Sequence, residues 1–187
     1  MNFDLDEDQQ LTRDTIGRFL GPVDIAARHA MRKAGGGYSH ARWQEIADLG
    51  LLALAAPEAM GGIGGTIVDL ALVAEALGKG VAIDPWLENG VLPIRLAAAA
   101  SDDALVGELV TGAKFAAVAF AEPARRYETA AVTTRAEGGH IAGAKTFVLG
   151  APLADTWLVT VTGNKLAKIE RGATGIVRQE YPVIDGS

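Results

Sequence analysis

The chain has 187 residues, of which 49% are apolar and 21% charged, with a formal net charge of −6 and no cysteine. This composition is typical of one good-sized globular domain or two small ones, and it excludes disulfides, thiolate nucleophiles and cysteine-based metal sites. The acidic balance argues against a nucleic-acid or anionic-membrane surface, and the polar start and lack of an apolar run of about 20 residues predict a soluble, cytoplasmic protein.

The first predicted helix covers residues 6–20, where apolar side chains recur at the spacing of one helix face. Asp6 can cap its start with Gln9 as the reciprocal partner, and Gly21 and Pro22 end it. The apolar face comprises Leu11, Thr15, Ile16, Phe19 and Leu20.

Two further helices carry similar end signals. Ser39 caps a helix that ends at Gly50, and Thr66 with Asp69 forms a capping box at the start of the next helix, which Gly78 closes. The loop between these helices is rich in glycine, and two shorter helices follow. They are predicted at residues 90–99 and 102–111.

After residue 112 the hydrophobic period changes from about 3.6 to 2, which indicates strands. Glycine pairs and Gly-Asn mark hairpin turns at residues 138–139 and 163–164. The predicted strands cover residues 114–120, 130–136, 140–148, 156–161, 166–170 and 174–180. The pattern therefore predicts an α+β chain, with an N-terminal all-helical bundle over residues 1–112 and an antiparallel β domain over residues 113–187.

We expect this β domain to be incomplete. The sequence ends in "YPVIDGS" without a closing strand, and a sheet left open there would present an unpaired edge. The residues are therefore expected to belong to a longer natural chain.

Four segments follow one another in a recognisable order. Residues 42–82 contain a Trp-bearing helix, "LGLL", a Pro-Glu pair before Gly-Gly, and a helix ending in "EALGK"; then come "FAEPARRYE", "IAGAKTFVLGAPLAD" and "PVIDGS". Together they resemble the acyl-CoA dehydrogenase family. The second segment is similar to the family's Thr-Glu-Pro-Gly-x-Gly-Ser-Asp motif, and the third to its Asn-Gly-x-Lys-x-Trp-Ile-Thr-Asn-x-x-x-Ala-Asp segment.

The resemblance implies a helical domain, a β domain and a C-terminal four-helix domain, of which this chain holds the first and most of the second. Members use FAD to dehydrogenate an acyl-CoA thioester between its α and β carbons, with a carboxylate base removing the α proton while flavin N5 takes the β hydride. In most members that base lies in the C-terminal domain. The resemblance therefore assigns no catalytic residue to this chain.

The family's flavin contacts fall on the second and third segments. The residues that the resemblance assigns to cofactor binding are Phe120, Ala121, Tyr127, Phe147, Val148 and Leu149. Phe147 keeps an aromatic ring for stacking, but Ala121 and Leu149 replace hydroxyls that would reach the flavin edge. Two lost hydrogen bonds of about 0.5–1.5 kcal/mol each would weaken FAD binding by roughly one to two orders of magnitude. We therefore expect FAD to bind this chain weakly or not at all.

Three residues are predicted to contact the acyl-CoA substrate. Arg125 and Arg126 fall on the x-Gly positions of the first motif, and they are either a solvated pair or a clamp for a phosphate of CoA or of the FAD pyrophosphate. Met60 lies in the glycine-rich region that borders the acyl pocket in the family.

Two functions follow from the resemblance. The first is an FAD-dependent acyl-CoA dehydrogenase subunit, inactive as this piece alone; the second is a non-catalytic or half-site partner in a heteromeric dehydrogenase with a degraded FAD pocket. A third possibility is an acyl-CoA-binding relic that binds no flavin. In each case we expect a homo- or hetero-oligomer with another chain of the family.

Overall fold

The computed structural model describes residues 4–33, 38–123, 128 and 132–181, and within them the helices precede the strands along the chain. The α-helices are α1 (Glu7–Leu20), α2 (Ile25–Lys33), α3 (His40–Asp48), α4 (Ile67–Lys79), α5 (Leu92–Ala99) and α6 (Asp103–Val110). Two 3-10 turns (Ala53–Ala55 and Glu58–Met60) lie between α3 and α4, and a π-helical segment (Trp86–Val91) runs directly into α5.

The predicted helix starts are confirmed in their hydrogen bonds. Asp6 Oδ1 accepts from the backbone N–H of Gln9 at 2.8 Å, and Thr66 N–H donates to Asp69 Oδ2 at 2.7 Å, so both capping boxes form. Helix α2 is not among the predicted helices. None of its residues is buried, so α2 adds no side chain to the buried core.

The strands are β1 (Ala116–Ala119), β2 (Arg135–Glu137), β3 (His140–Ala142), β4 (Thr156–Val161) and β5 (Lys165–Glu170). They form a sheet with the order β1-β4-β5 and a separate β2-β3 hairpin. Both predicted hairpin turns are confirmed, since β2-β3 and β4-β5 pair antiparallel across them. The expected fold class, helices followed by β structure, is also confirmed, whereas the division at residues 112/113 stays a prediction.

The prediction of a wholly antiparallel sheet is wrong at one pair. Strands β1 and β4 run parallel, with Ala116 opposite Thr156 and Ala119 opposite Val159. A parallel pair needs a crossover of a dozen or more residues, and the long connection between these strands provides it. The strand predicted at residues 174–180 is also absent from the structure, where Val177 is 95% exposed. That segment therefore lacks the packing that stabilises a strand.

The β1-β4-β5 sheet joins two apolar clusters. Ala116 and Leu158 belong to the helical core, whereas Ala117, Trp157 and Val159 belong to a cluster on the opposite face. This alternation follows from the period of two along a strand. One face of the sheet thus packs against the helices. Within the described ranges, no helix is both long and apolar enough to cross a membrane.

Candidate functional site

The predicted cofactor residues in the described part of the chain lie on two adjacent segments. Phe120 and Ala121 directly follow β1, and residues 146–150 precede β4. The backbone N–H of Thr146 donates to the carbonyl oxygen of Ala121 at 2.9 Å. The two motif segments that the sequence separates are therefore joined by a backbone hydrogen bond.

A buried carboxylate network holds the first segment in place. Glu122 is 4% exposed and its Oε1 accepts from Lys145 Nζ at 2.8 Å. The carboxylate also accepts from the backbone N–H and hydroxyl of both Thr133 and Thr134, at 2.5–3.0 Å. Lys145 Nζ in turn donates to Thr160 Oγ1 at 2.9 Å. Glu122 thus connects the segment after β1 to the segment before β2, and through Lys145 to β4.

The charge state of Glu122 follows from these contacts. Burial alone would raise the pKa of the Glu122 carboxyl, but the hydrogen bonds from Lys145, Thr133 and Thr134 outweigh it and hold that pKa far below its usual range. Glu122 is therefore a permanently ionised anchor near neutral pH. A carboxylate with so low a pKa and so many donors is a poor general base.

A second anchor reaches the site from the helical part. Asn89, in the π-helical segment, is fully buried, and its Nδ2 donates to the carbonyls of Ala116 at 2.9 Å and of Gly150 at 3.1 Å. Gly150 has φ +66°, and a Cβ there would lie 2.0 Å from Asn89 Oδ1. Residue 150 is thus restricted to glycine by backbone conformation and by space.

Between these anchors the chain presents apolar side chains to solvent. Phe147 has φ +52° and is 58% exposed, and Leu149 is 57% exposed. Val148 points the other way, since it packs against the cluster on the outer face of the sheet. Phe120, on the adjoining segment, is 40% exposed.

These residues match one part of a flavin's chemistry. Phe120, Phe147 and Leu149 offer apolar surface to a flat ring, but their side chains have no hydrogen-bond donor for its polar edge. Ala121 is only 6% exposed, so its methyl group faces the protein interior. The described residues therefore fit the apolar face of an isoalloxazine ring and leave its polar edge to backbone groups.

The predicted substrate contacts are placed differently. Arg125 and Arg126, together with the predicted cofactor residue Tyr127, lie outside the described residues. Met60 is partly buried against the helical core. The glycine-rich loop nearby borders a cleft of about 340 Å³ between residues 54–65 and α5. Met60 is not among the described residues that line this cleft. The cleft lining comprises Leu54, Ala55, Ala56, Pro57, Gly64, Gly65, Arg95, Ala98 and Ala99.

The residues that organise the site but were not predicted from the sequence are Asn89, Lys145 and Gly150. A polar residue within the apolar run "WLENGVLPI" could have indicated Asn89, but its partner Gly150 lies 61 positions away. Across the part of the chain that the structure describes, no cluster of three His, Cys, Asp or Glu side chains could hold a metal ion.

Residues 6–102 match the family model described as acyl-CoA dehydrogenase, N-terminal domain. Among curated relatives, acyl-CoA dehydrogenase IpdE2 of Mycobacterium tuberculosis is 31% identical over 118 residues, or 60% of this chain and 36% of the relative. Benzylmalonyl-CoA dehydrogenase of Aromatoleum aromaticum is 29% identical over 170 residues, or 85% of this chain and 45% of the relative.

Solved structures share the fold. The ChsE4–ChsE5 complex from Mycobacterium tuberculosis aligns with a TM-score of 0.80 at 22% identity, over 97% of this chain and 52% of the other. PigA, solved with FAD and proline, aligns with a TM-score of 0.75 at 26% identity, over 94% of this chain and 51% of the other. The chain spans less than half the length of these curated relatives and about half that of these solved chains.

Proposed function

This chain belongs to the acyl-CoA dehydrogenase family, and we propose that it functions in an FAD-dependent, cytoplasmic oxidoreductase that dehydrogenates an acyl-CoA thioester between its α and β carbons. Its helical part, residues 1–112, and its β part, residues 113–187, are proposed to be separate domains. FAD, when bound, supplies the acceptor for the β hydride. The acyl-CoA relatives and the FAD-bound relative PigA support this proposal.

The observation that carries the proposal is the arrangement of the Phe147 segment beside the Phe120–Ala121 segment. The Thr146–Ala121 hydrogen bond and the Glu122–Lys145 ion pair fix the two segments to each other. Phe147 would stack on the flavin ring, with Phe120 and Leu149 alongside it. Glu122 is excluded as the base that removes the α proton, because its oxygens are occupied and its pKa is lowered.

The weakness of this site is its lack of side-chain donors. Ala121 and Leu149 stand where the resembled motifs have hydroxyls, so stacking on Phe147 is left to supply much of the affinity. Aromatic stacking adds about 0.5–1.5 kcal/mol beyond the area that it buries. We therefore propose that the chain binds FAD weakly by itself.

The test is to purify the 187-residue chain without added flavin and record absorbance in the flavin band. We expect a colourless protein that does not turn over an acyl-CoA with an artificial electron acceptor. A stoichiometrically yellow protein would show that the substitutions at Ala121 and Leu149 are not losses. Turnover would show that a base is present in this chain.

A second candidate is a half-site partner chain, and the missing hydroxyls favour it. Two of the similar structures carry paired chain names, ChsE4–ChsE5 and Tcur3481–Tcur3483. In such an assembly, this chain would hold FAD only jointly with a second chain of the family. Size-exclusion chromatography with detection in the flavin band distinguishes the candidates. Flavin that co-elutes only when a family chain with intact hydroxyl motifs is present supports the half-site, and flavin retained by this chain alone contradicts it.

Contacts to the CoA part are also proposals. If Arg125 and Arg126 clamp a phosphate, then replacing both with Met should weaken binding of CoA, because a guanidinium–phosphate pair is charge-assisted. Replacing both with Lys keeps the charge and is the matched control. Isothermal titration calorimetry with CoA measures the difference in affinity. Equal affinities of the Met and Lys variants would show that Arg125 and Arg126 are a solvated pair. Met60 remains a proposed acyl contact.

A further inference from the structure

We propose that Asn89 is a positioning residue that holds the segment 146–150 in the conformation that presents Phe147. The inference rests on the proposed function for what Phe147 contacts, but the positioning itself concerns only the chain. Asn89 belongs to the helical part, and it acts through the carbonyl of Gly150.

Asn89 uses both hydrogens of its side-chain amide. Asn89 Nδ2 donates to Ala116 O in β1 and to Gly150 O at the end of the Phe147 segment. One fully buried side chain therefore connects the strand that leads into Phe120 with the segment that carries Phe147. Asn89 projects from a π-helical segment, an irregularity that is frequent at functional sites.

Within the described part of the chain, only the two N–H groups of the Asn89 amide have hydrogen-bond partners. Its Oδ1 is buried and has no hydrogen-bond partner among the described residues. A buried polar atom without a partner is destabilising, so the oxygen adds nothing to what the N–H groups contribute. The oxygen lies so close to Gly150 that a side chain at residue 150 would displace the Asn89 amide. The side chain is therefore explained by what its two N–H groups hold.

Phe147 has an unusual backbone conformation. A φ of +52° is sparsely populated for a bulky residue and persists only where the surroundings determine it. On the N-terminal side, Thr146 bonds to Ala121 and Lys145 to Glu122. On the C-terminal side, Gly150 is held by Asn89. Removing the second restraint should let Phe147 return to ordinary backbone conformations.

The experiment uses 19F NMR of the whole chain labelled with 4-fluorophenylalanine, with the Phe147 line assigned by its loss in Phe147→Leu. Asn89→Ala should broaden, split or shift the Phe147 line and leave in place the line of Phe19, which belongs to α1 and packs against the helical core. Val106→Ala, in the helical core, is the control for general destabilisation, because Val106 is also fully buried and belongs to α6. It should leave the Phe147 line unchanged.

Gly150→Ala perturbs the same contact from the other side and should reproduce the Asn89→Ala spectrum. A Phe147 line unaffected by either variant, or altered equally by Val106→Ala, overturns the proposal.

A fluorescence titration with FAD separates this inference from the proposed function. Loss of a pre-ordered ring should weaken FAD binding by about threefold to tenfold in Asn89→Ala, and less in Val106→Ala. If the unaltered chain shows no FAD binding at any concentration, the proposal that this chain binds FAD by itself fails, and the NMR lines still decide the role of Asn89. Equal FAD affinities of the Asn89→Ala variant and the unaltered chain would contradict the positioning role.

Discussion

The contact between Asn89 and Gly150 makes a quantitative prediction about stability. Gly150→Ala places an L-residue at φ +66°, which costs roughly 1–2 kcal/mol. The new methyl group would lie 2.0 Å from Asn89 Oδ1, so the amide must move and give up its two hydrogen bonds, at about 1 kcal/mol each. The free energy of unfolding should therefore fall by about 3–4 kcal/mol, a large part of a typical total of about 5–15 kcal/mol.

The double variant Asn89→Ala with Gly150→Ala separates the cost of the steric clash from the cost of the backbone strain. Asn89→Ala alone leaves the carbonyls of Ala116 and Gly150 without their donor, and should cost about 2–3 kcal/mol. With the amide gone, the methyl group at residue 150 no longer clashes with it, and only the backbone strain is added. The double variant should then lose about 3–5 kcal/mol instead of the 5–7 kcal/mol expected from adding the single effects.

Urea unfolding followed by circular dichroism measures all three variants, with unchanged slopes as the check on two-state behaviour. Gly138→Ala is the matched control, because Gly138 has φ +55° and open space around its Cα. It should show the backbone strain alone, roughly 1–2 kcal/mol. Single effects that add in the double variant to within about 0.5 kcal/mol, or a Gly150→Ala loss no larger than that of Gly138→Ala, would refute the reasoning.

Three further predictions concern the site and its anchor. Leu149→Thr should bind FAD about twofold to tenfold more tightly than Leu149→Val, which has the same shape without the hydroxyl, and equal affinities in a fluorescence titration would contradict it. Lys145→Met should lower the free energy of unfolding by about 3 kcal/mol, because it leaves Glu122 buried without its cation; a loss below about 1 kcal/mol in urea would sink this prediction. Because folding lowers the pKa of Glu122, its ionised carboxylate stabilises the folded state. This contribution is fully present at pH values above the ordinary carboxyl pKa near 4.5, and it is lost as the pH falls below that value. The urea concentration at the unfolding midpoint should thus stay constant from about pH 7 to 5.5 and decrease at pH values below about 4.5. The decrease should be shallower in Glu122→Gln, and an equally steep decrease in that variant would be contrary evidence.

The elements that could be predicted from the sequence are those defined by local chemistry. The Asp6–Gln9 and Thr66–Asp69 pairs determine helix starts through hydrogen bonds between residues three apart. Strand β4 has the predicted bounds, because its apolar run ends where the Gly163 turn begins. In each case the residues that decide the structure are neighbours in the chain.

The misassigned parts depend on distant partners. The parallel β1-β4 pairing is decided by the path of the chain between the strands, which alternation of apolar residues does not encode. The β-like pattern at residues 143–148 instead belongs to a loop, because Gly143 has φ +155° and Phe147 φ +52°. The same holds for the site, since the motif residues Phe120 and Phe147 could be found locally, whereas Asn89 is linked to Gly150 only through the fold.

The two family motifs divide by structural role in this chain. Glu122 and Lys145 match the Glu of the first motif and the Lys of the second, and they form the buried ion pair that joins the two segments. Ala121 and Leu149 replace the hydroxyl residues of these motifs, and the two replacements do not contribute equally. Leu149 is 57% exposed, so a hydroxyl there would face solvent and be open to the proposed flavin, whereas one at Ala121, which is 6% exposed, would enter the protein interior and need a partner of its own. Leu149 is therefore the position at which a single hydroxyl could restore affinity for flavin, and the buried pair is the reason that the segments would still be in place to receive it.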